Sequence, residues 1–225
     1  MLNLIFAAVI WIAVHQGIAG SRLREAMAGP LGENGFRAVF SLISVAALGL
    51  LILAFRAAPA MVWWHTPPLA LDGLALVMLV ASVFFMASIA APNPTAVGQE
   101  DSMAKGAKGF QRITRHPMLW SFALWGIVHI LANGEAAACV FFGAFTISAL
   151  AGMRSIDRKL KRRDPYNFTL LARESSVLPG AALFSGRTKL QPGEIPWYVP
   201  VAGFLLWIGL ILAHKLVIGV PAVPG

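Results

Sequence analysis

The stretch RITRHPMLWSFALWGIVHILANGEAAACVFFGAFTISALAGM, residues 112–153, decides the fold. It opens with Arg112, Arg115 and His116. It then runs apolar with one interruption, Asn133-Gly134-Glu135. The two apolar segments on either side, about 117–132 and 136–153, approach the roughly 17–25 residues that a helix needs to cross a bilayer. A connection this short joins antiparallel neighbours. The pair reads as a helical hairpin that barely reaches the far surface, or one lengthened at its other end by residues 112–116.

Four more apolar segments surround it, at about 2–20, 38–55, 69–91 and 197–218. The chain of 225 residues is 58% apolar and only 12% charged, with a mean hydropathy of +0.72. A water-soluble domain carries about twice that charged fraction. The pattern predicts an all-α, polytopic transmembrane bundle of about six helices. Three loops, 21–37, 92–116 and 154–196, hold sixteen of the eighteen Lys and Arg residues. Cytoplasmic loops concentrate Lys and Arg, so both termini are expected on the non-cytoplasmic side. The net charge of +8 is then a topological signal that faces lipid headgroups. No nucleic-acid-binding motif accompanies it. The single cysteine, Cys139, excludes intrachain disulfides and Cys-rich metal or iron–sulfur sites. Residues 1–20 lack a basic leader and read as a retained helix. Residues 92–108, rich in Pro and Gly, read as a mobile loop. Residues 157–163 read as a charged helix end stopped by Pro165, and 175–189 as a segment that returns to the membrane surface.

Ionisable side chains inside a bilayer are expensive and mark function by default. Of the five histidines, His65 follows Trp63-Trp64 and His214 precedes Lys215. Both suit an interface. His15 lies within the first helix, on a stripe with Ala8, Trp11, Ala19 and Arg22. Gly17 and Gly20 permit close approach there. His129 shares its stripe with Phe122 and Trp125. A buried imidazole needs a hydrogen-bond acceptor, such as a backbone carbonyl, Ser41 or Ser82, or else a metal. With no Cys cluster and no intramembrane carboxylate, the metal suited to two imidazoles in an apolar site is haem iron. His116 cannot share a metal with His129, since thirteen helical residues separate them by roughly 20 Å. With Arg112 and Arg115 it suits an anionic group at the cytoplasmic face: a headgroup, a haem propionate or a nucleotide-like cofactor.

Five stretches together resemble the NnrU family of bacterial membrane proteins: VHQGIAGSRLR (14–24), LGENGFRAVFSLIS (31–44), ITRHPMLWSFALWGIVHILANGE (113–135), the patch of Gly152 with Ile156-Asp157-Arg158, and SSVLPGAALFSGR (175–187). The resemblance covers residues 1–189 as one membrane domain. Residues 190–225 read as an added C-terminal helix. It implies a multi-pass protein of the bacterial inner membrane. The family includes relatives of zeta-carotene isomerase, a membrane haem b enzyme, and its two axial-ligand motifs fall on His15 and His129. Arg22 would then neutralise a propionate. Gly126 stands where the isomerase has a switch cysteine, so the thiolate switch is not implied here. The family name implies a role beside nitrite or nitric oxide reductase. A more distant likeness of Arg115-His116-Pro117, with Arg173 and Glu174, to isoprenylcysteine and phospholipid methyltransferases implies S-adenosylmethionine as the alternative cofactor. A third reading is a non-enzymatic assembly factor for a respiratory reductase. Expected partners are membrane lipids, a lipophilic small molecule or that reductase. Helical rise sets His15 about 10 Å from Arg22 and His129 about 21 Å from Arg115. Depth alone would pair His129 with His214, and His15 with His116.

Overall fold

Backbone polar groups in hydrocarbon must be satisfied within their own segment, so apolar runs of this length fold as helices. The computed structural model describes residues 1–19, 23–95 and 99–222, without the side chains of Ala19, Glu25, Glu100 and Asp101. Its α-helices are α1 (Leu2–Ile12), α2 (Leu23–Arg56), α3 (Pro68–Ala90), α4 (Pro117–Asn133), α5 (Ala136–Arg163), α6 (Pro165–Glu174), α7 (Ala181–Phe184) and α8 (Tyr198–Ile218). Among the described residues there is no strand, only an isolated antiparallel bridge between Val62 and Glu135. Among the described residues, four helices are long and apolar enough to cross a membrane: Ala26–Arg56, Pro68–Ala90, Ala136–Arg163 and Tyr198–Ile218. Leu2–Ile18 and Pro117–Asn133 are shorter apolar helices.

The chain packs as two compact units, Met1–Pro67 with Trp125–Ser155, and Pro68–Leu124 with Ile156–Gly225. In the first, Leu4, Ala7, Ala8 and Trp11 form the buried stripe of α1. They share a core with Ala47 and Leu51 of α2 and with Ala137, Ala138, Phe141, Phe142 and Ala144 of α5. Small residues let the backbones approach where no hydrophobic force drives helices together in lipid. The turn at Asn133-Gly134-Glu135 forms as the sequence predicts. Gly134 adopts φ +66°, and a Cβ there would stand 2.0 Å from the Trp64 carbonyl oxygen. The Trp63 N–H donates to the Gly134 carbonyl at 2.8 Å, and the Trp64 indole N–H to that of Leu131 at 3.0 Å. Trp64 is thus a clamp on the hairpin as well as an aromatic residue of the connecting loop.

In the second unit α8 lies along α3. A Cβ on Gly203 would meet the Val83 Cα at 2.6 Å, so only glycine permits this approach. The Trp207 indole N–H donates to the Ala75 carbonyl at 2.8 Å. Apolar side chains dominate what these helices leave exposed, with Leu69 at 84% and Leu216 at 88%. A surface like this suits lipid rather than water.

Three expectations need correction. Residues 23–37, read as loop, are helical; α2 is broken at Gly32 (φ 70°, ψ 167°), next to Pro30. Glu33, just past the break, takes ion pairs from Arg24 and Arg37. Residues 92–108 hold a 3-10 turn, Glu100–Lys105, and bury Met103 and Ala107 in a cluster with Leu160, Phe168 and Leu171. The segment 175–187 is not simply laid on a membrane surface. Its carbonyls at Ser176 and Val177 accept from Arg115 N–H (3.0 Å), Thr114 Oγ1 (2.8 Å) and the Trp120 indole (2.7 Å).

Candidate functional site

The first helix does not stay α-helical. Residues Ala13–Ala19, AVHQGIA, form a π-helical turn that carries His15. Turns of this kind are rare and recur at functional sites. The His15 Nδ1 lies 2.9 Å from the Trp11 carbonyl oxygen, one turn back. A carbonyl only accepts, so the proton sits on Nδ1 and the ring's lone pair on Nε2. His129 repeats the arrangement with Nδ1 2.8 Å from the Trp125 carbonyl. A histidine oriented in this way is the usual form of a metal ligand.

Both histidines belong to one unit and to one aromatic layer. Ring centroids run from His15 to Trp11 (4.0 Å), to Phe145 (4.7 Å), to Trp125 (5.2 Å) and to His129 (5.1 Å). Phe40 meets His15 edge-on at 5.7 Å, and Phe142 stacks on His129 at 4.7 Å. Gln16 Nε2 donates to the Ser148 carbonyl at 3.0 Å, tying the π-helical turn to α5. Within this unit Trp11 Nε1, Ser44 Oγ and Ser148 Oγ are buried without a hydrogen-bond partner among the described residues. Ser148 neighbours His15 through Gln16, and Ser44 is one helical turn from Phe40. Such atoms cost free energy unless something meets them. No group of three or more His, Cys, Asp or Glu gathers among the described residues. Two imidazoles, however, are the set that a porphyrin iron takes, since the macrocycle supplies the other ligands. In donor chemistry alone, two oriented imidazoles with unmatched donors in the same unit suit haem b. Arg22 lies outside the described residues.

Gly126 packs against α5. A Cβ there would stand 2.2 Å from Thr146 Oγ1 and 2.9 Å from the Phe142 carbonyl oxygen. A cysteine does not fit without moving α4 from α5. Gly126→Ala is expected to lower stability by about 1–3 kcal/mol through overpacking. Thermal unfolding in detergent checks this, and Thr146→Ala in the same chain should restore part of the loss.

The second unit holds the other candidates. His116 is 1% exposed, and its Nε2 lies 2.8 Å from Asp157 Oδ1. Arg115 donates to the same carboxylate from Nε at 3.0 Å and Nη2 at 2.5 Å, while its guanidinium covers the Phe168 ring at 5.9 Å. The anion that Arg115 and His116 meet is therefore a carboxylate of the chain itself. A methyl-donor cofactor held by this pair would compete with Asp157. Arg112 is committed too. It grips Glu194 through Nε (2.7 Å) and Nη2 (3.0 Å), donates to Thr188 Oγ1 at 2.8 Å, and lies 3.6 Å from Glu174. Of the two remaining histidines, His214 Nδ1 lies 2.7 Å from the Val220 carbonyl and His65 is exposed.

Glu194 illustrates what these pairs do. The Arg112 guanidinium, with the Gly109 N–H at 2.9 Å, pulls its carboxyl from 4.5 to about 2. A carboxyl depressed on folding stabilises the fold above its unfolded value and loses that contribution as pH falls through the folded one. The difference in melting temperature between the wild type and Glu194→Gln should therefore be full near neutrality and shrink between about pH 4.5 and 2. Unfolding scans across that range test it.

Sequence reasoning missed Asp157 and Glu194 as partners. Asp157 had a signal: it is the single acid on α5, and Arg115 with His116 needs an acceptor. Glu194 had none. Phe40 and Phe145 were also missed, because aromatic residues in an apolar helix look alike until the helices are packed.

A family model described as NnrU protein matches residues 3–222, which takes in α8. The chain is 28% identical over 232 residues to the 15-cis-zeta-carotene isomerase, chloroplastic, of Arabidopsis thaliana, across 97% of this chain and 60% of that protein. It is 27% identical over 223 residues to the protein of the same name from Zea mays, across 95% of this chain and 60% of the relative. The chain thus spans about three fifths of the length of these curated relatives. No solved structure matches it.

Proposed function

The chain belongs to the NnrU family, and on that premise we propose that it is an isomerase-like membrane protein in which His15 and His129 ligate haem b. One observation carries the reading. Both histidines turn Nδ1 to a carbonyl one turn back, within one unit and one aromatic layer. Held by His15 and His129, haem b would supply one-electron redox chemistry.

The chain's own residues do the rest. The Trp11 and Trp125 carbonyls hold the Nδ1 protons and so fix which nitrogen ligates. Phe40, Phe142 and Phe145 exclude water. The unmatched Trp11, Ser44 and Ser148 donors are available to polar edges of a bound group. The relatives' printed activity supports an isomerase-like role, and a carotene-like polyene is the substrate class proposed. It is tested by incubating the purified, haem-loaded protein with a 15-cis polyene and following the isomer ratio by chromatography. Wild type should shift the ratio and His129→Ala should not. Haem-loaded wild type that leaves the ratio unchanged would sink the isomerase part.

A second reading is favoured by Gly126. With Thr146 pressed against it, that position offers no third ligand, so both imidazoles would stay on the iron. The site then serves electron exchange or sensing, such as support of a nitrite or nitric oxide reductase in denitrification. Six spans in a bacterial inner membrane, with both termini outside, belong to the same proposal. They rest on the sixteen cations gathered in alternate loops.

A further inference from the structure

Where α5 runs out of apolar residues, Lys161 of α5, Arg173 of α6 and Arg187 line an open groove of about 530 Å³. Phe168, Thr169 and Ala172 complete its lining. None of the three cations is ion-paired among the described residues. The nearby acids are committed elsewhere. Glu174 faces Arg112 at 3.6 Å, Asp157 is held by Arg115 and His116, and Asp164 caps α6 at the Asn167 N–H. Arg187 is fixed in place. Its Nη1 donates to the carbonyls of Ala172 (3.0 Å) and Ser175 (3.2 Å), neutral acceptors that hold the guanidinium without cancelling its charge.

Three uncompensated charges around one groove attract an anion. The lining that includes Phe168 and Ala172 adds an apolar component, so an anion with a hydrocarbon tail suits it better than a bare one. The surroundings agree. Phe184, three residues before Arg187, is 92% exposed, and Tyr166 is 74% exposed. Exposed aromatics with cations at the end of a membrane-length helix are the pattern of a bilayer interface.

We propose that this groove binds the phosphate headgroup of an anionic phospholipid, with Arg173 and Lys161 on the phosphate oxygens and the acyl chains in the bilayer. The proposal is independent of haem. Native mass spectrometry of the full chain, after exposure to equal amounts of phosphatidylglycerol or phosphatidylcholine, tests it. The one-lipid adduct should be several-fold more abundant with phosphatidylglycerol. The double variant Lys161→Gln/Arg173→Gln should reduce it to the phosphatidylcholine level, with the absorption spectrum and melting temperature kept. Thr169→Glu, which adds a carboxylate to the groove and removes no cation, should do the same and guards against misfolding of the double variant. Equal phosphatidylglycerol adducts in wild type and both variants would overturn the proposal. So would displacement of the lipid by millimolar inorganic phosphate, which would make free phosphate the ligand.

Discussion

Asp157→Ala is expected to cost about 3–5 kcal/mol of stability, the usual effect of removing one partner from a buried ion pair. One carboxylate serves both Arg115 and His116, and their side chains are 11% and 0% exposed. Neither can turn to water when it is lost. The effect should spread, because the Arg115 N–H and Thr114 hold the 175–187 segment, and the Arg115 guanidinium covers Phe168. Asp157→Asn keeps the shape and one acceptor and should fall between alanine and wild type. Melting temperature and yield of folded protein in detergent report the outcome. An alanine variant as stable as wild type would mean that Arg115 and His116 are not held by this carboxylate.

The largest functional effect is expected at the two membrane histidines. On the proposed ligation, His15→Ala or His129→Ala should each lower haem affinity by at least about 10-fold, since even loss of a supporting contact to a ligand costs that much. The residual pigment should lose its low-spin bands. His65→Ala is the control. His65 is exposed, and its loss should leave the spectrum unchanged. His116→Gln should weaken the fold through Asp157 and leave the spectrum of any bound haem unchanged. If His116→Gln removed the pigment at unchanged stability and His15→Ala did not, the ligand assignment would be wrong.

Much of the fold was legible. Apolar runs bounded by charge gave the helices at 68–90, 117–133, 136–163 and 198–218 to within a few residues, apart from the charged end of the third. The hairpin was legible because Gly134 supplies the positive φ its turn requires. The helix at 23–31 was hidden by its Gly and Pro content. Across its break Arg24 pairs with Glu33, which Arg37 also meets one turn further on. The π-helical turn was invisible, since seven residues are too few for its periodicity to differ from that of an α-helix. At the candidate site, the two histidines stand out in the sequence because charge-capable groups are rare in apolar helices. Depth counted along straight helices offers His214 and His116 as the alternative partners, and those two belong to the second unit. Counting residues from a loop ignores the π-helical turn beneath His15 and the helix that follows it. Asp157 and Glu194 sit 42 and 82 residues from their arginines, and only folding reveals such partners.

The most direct test is an absorption spectrum of the detergent-purified chain, oxidised and then reduced with dithionite, from cells supplied with a haem precursor. Haem ligation by His15 and His129 predicts a Soret band, sharp α and β bands on reduction, and about one haem per chain. A colourless protein from haem-replete cells, folded by its melting transition, would contradict it.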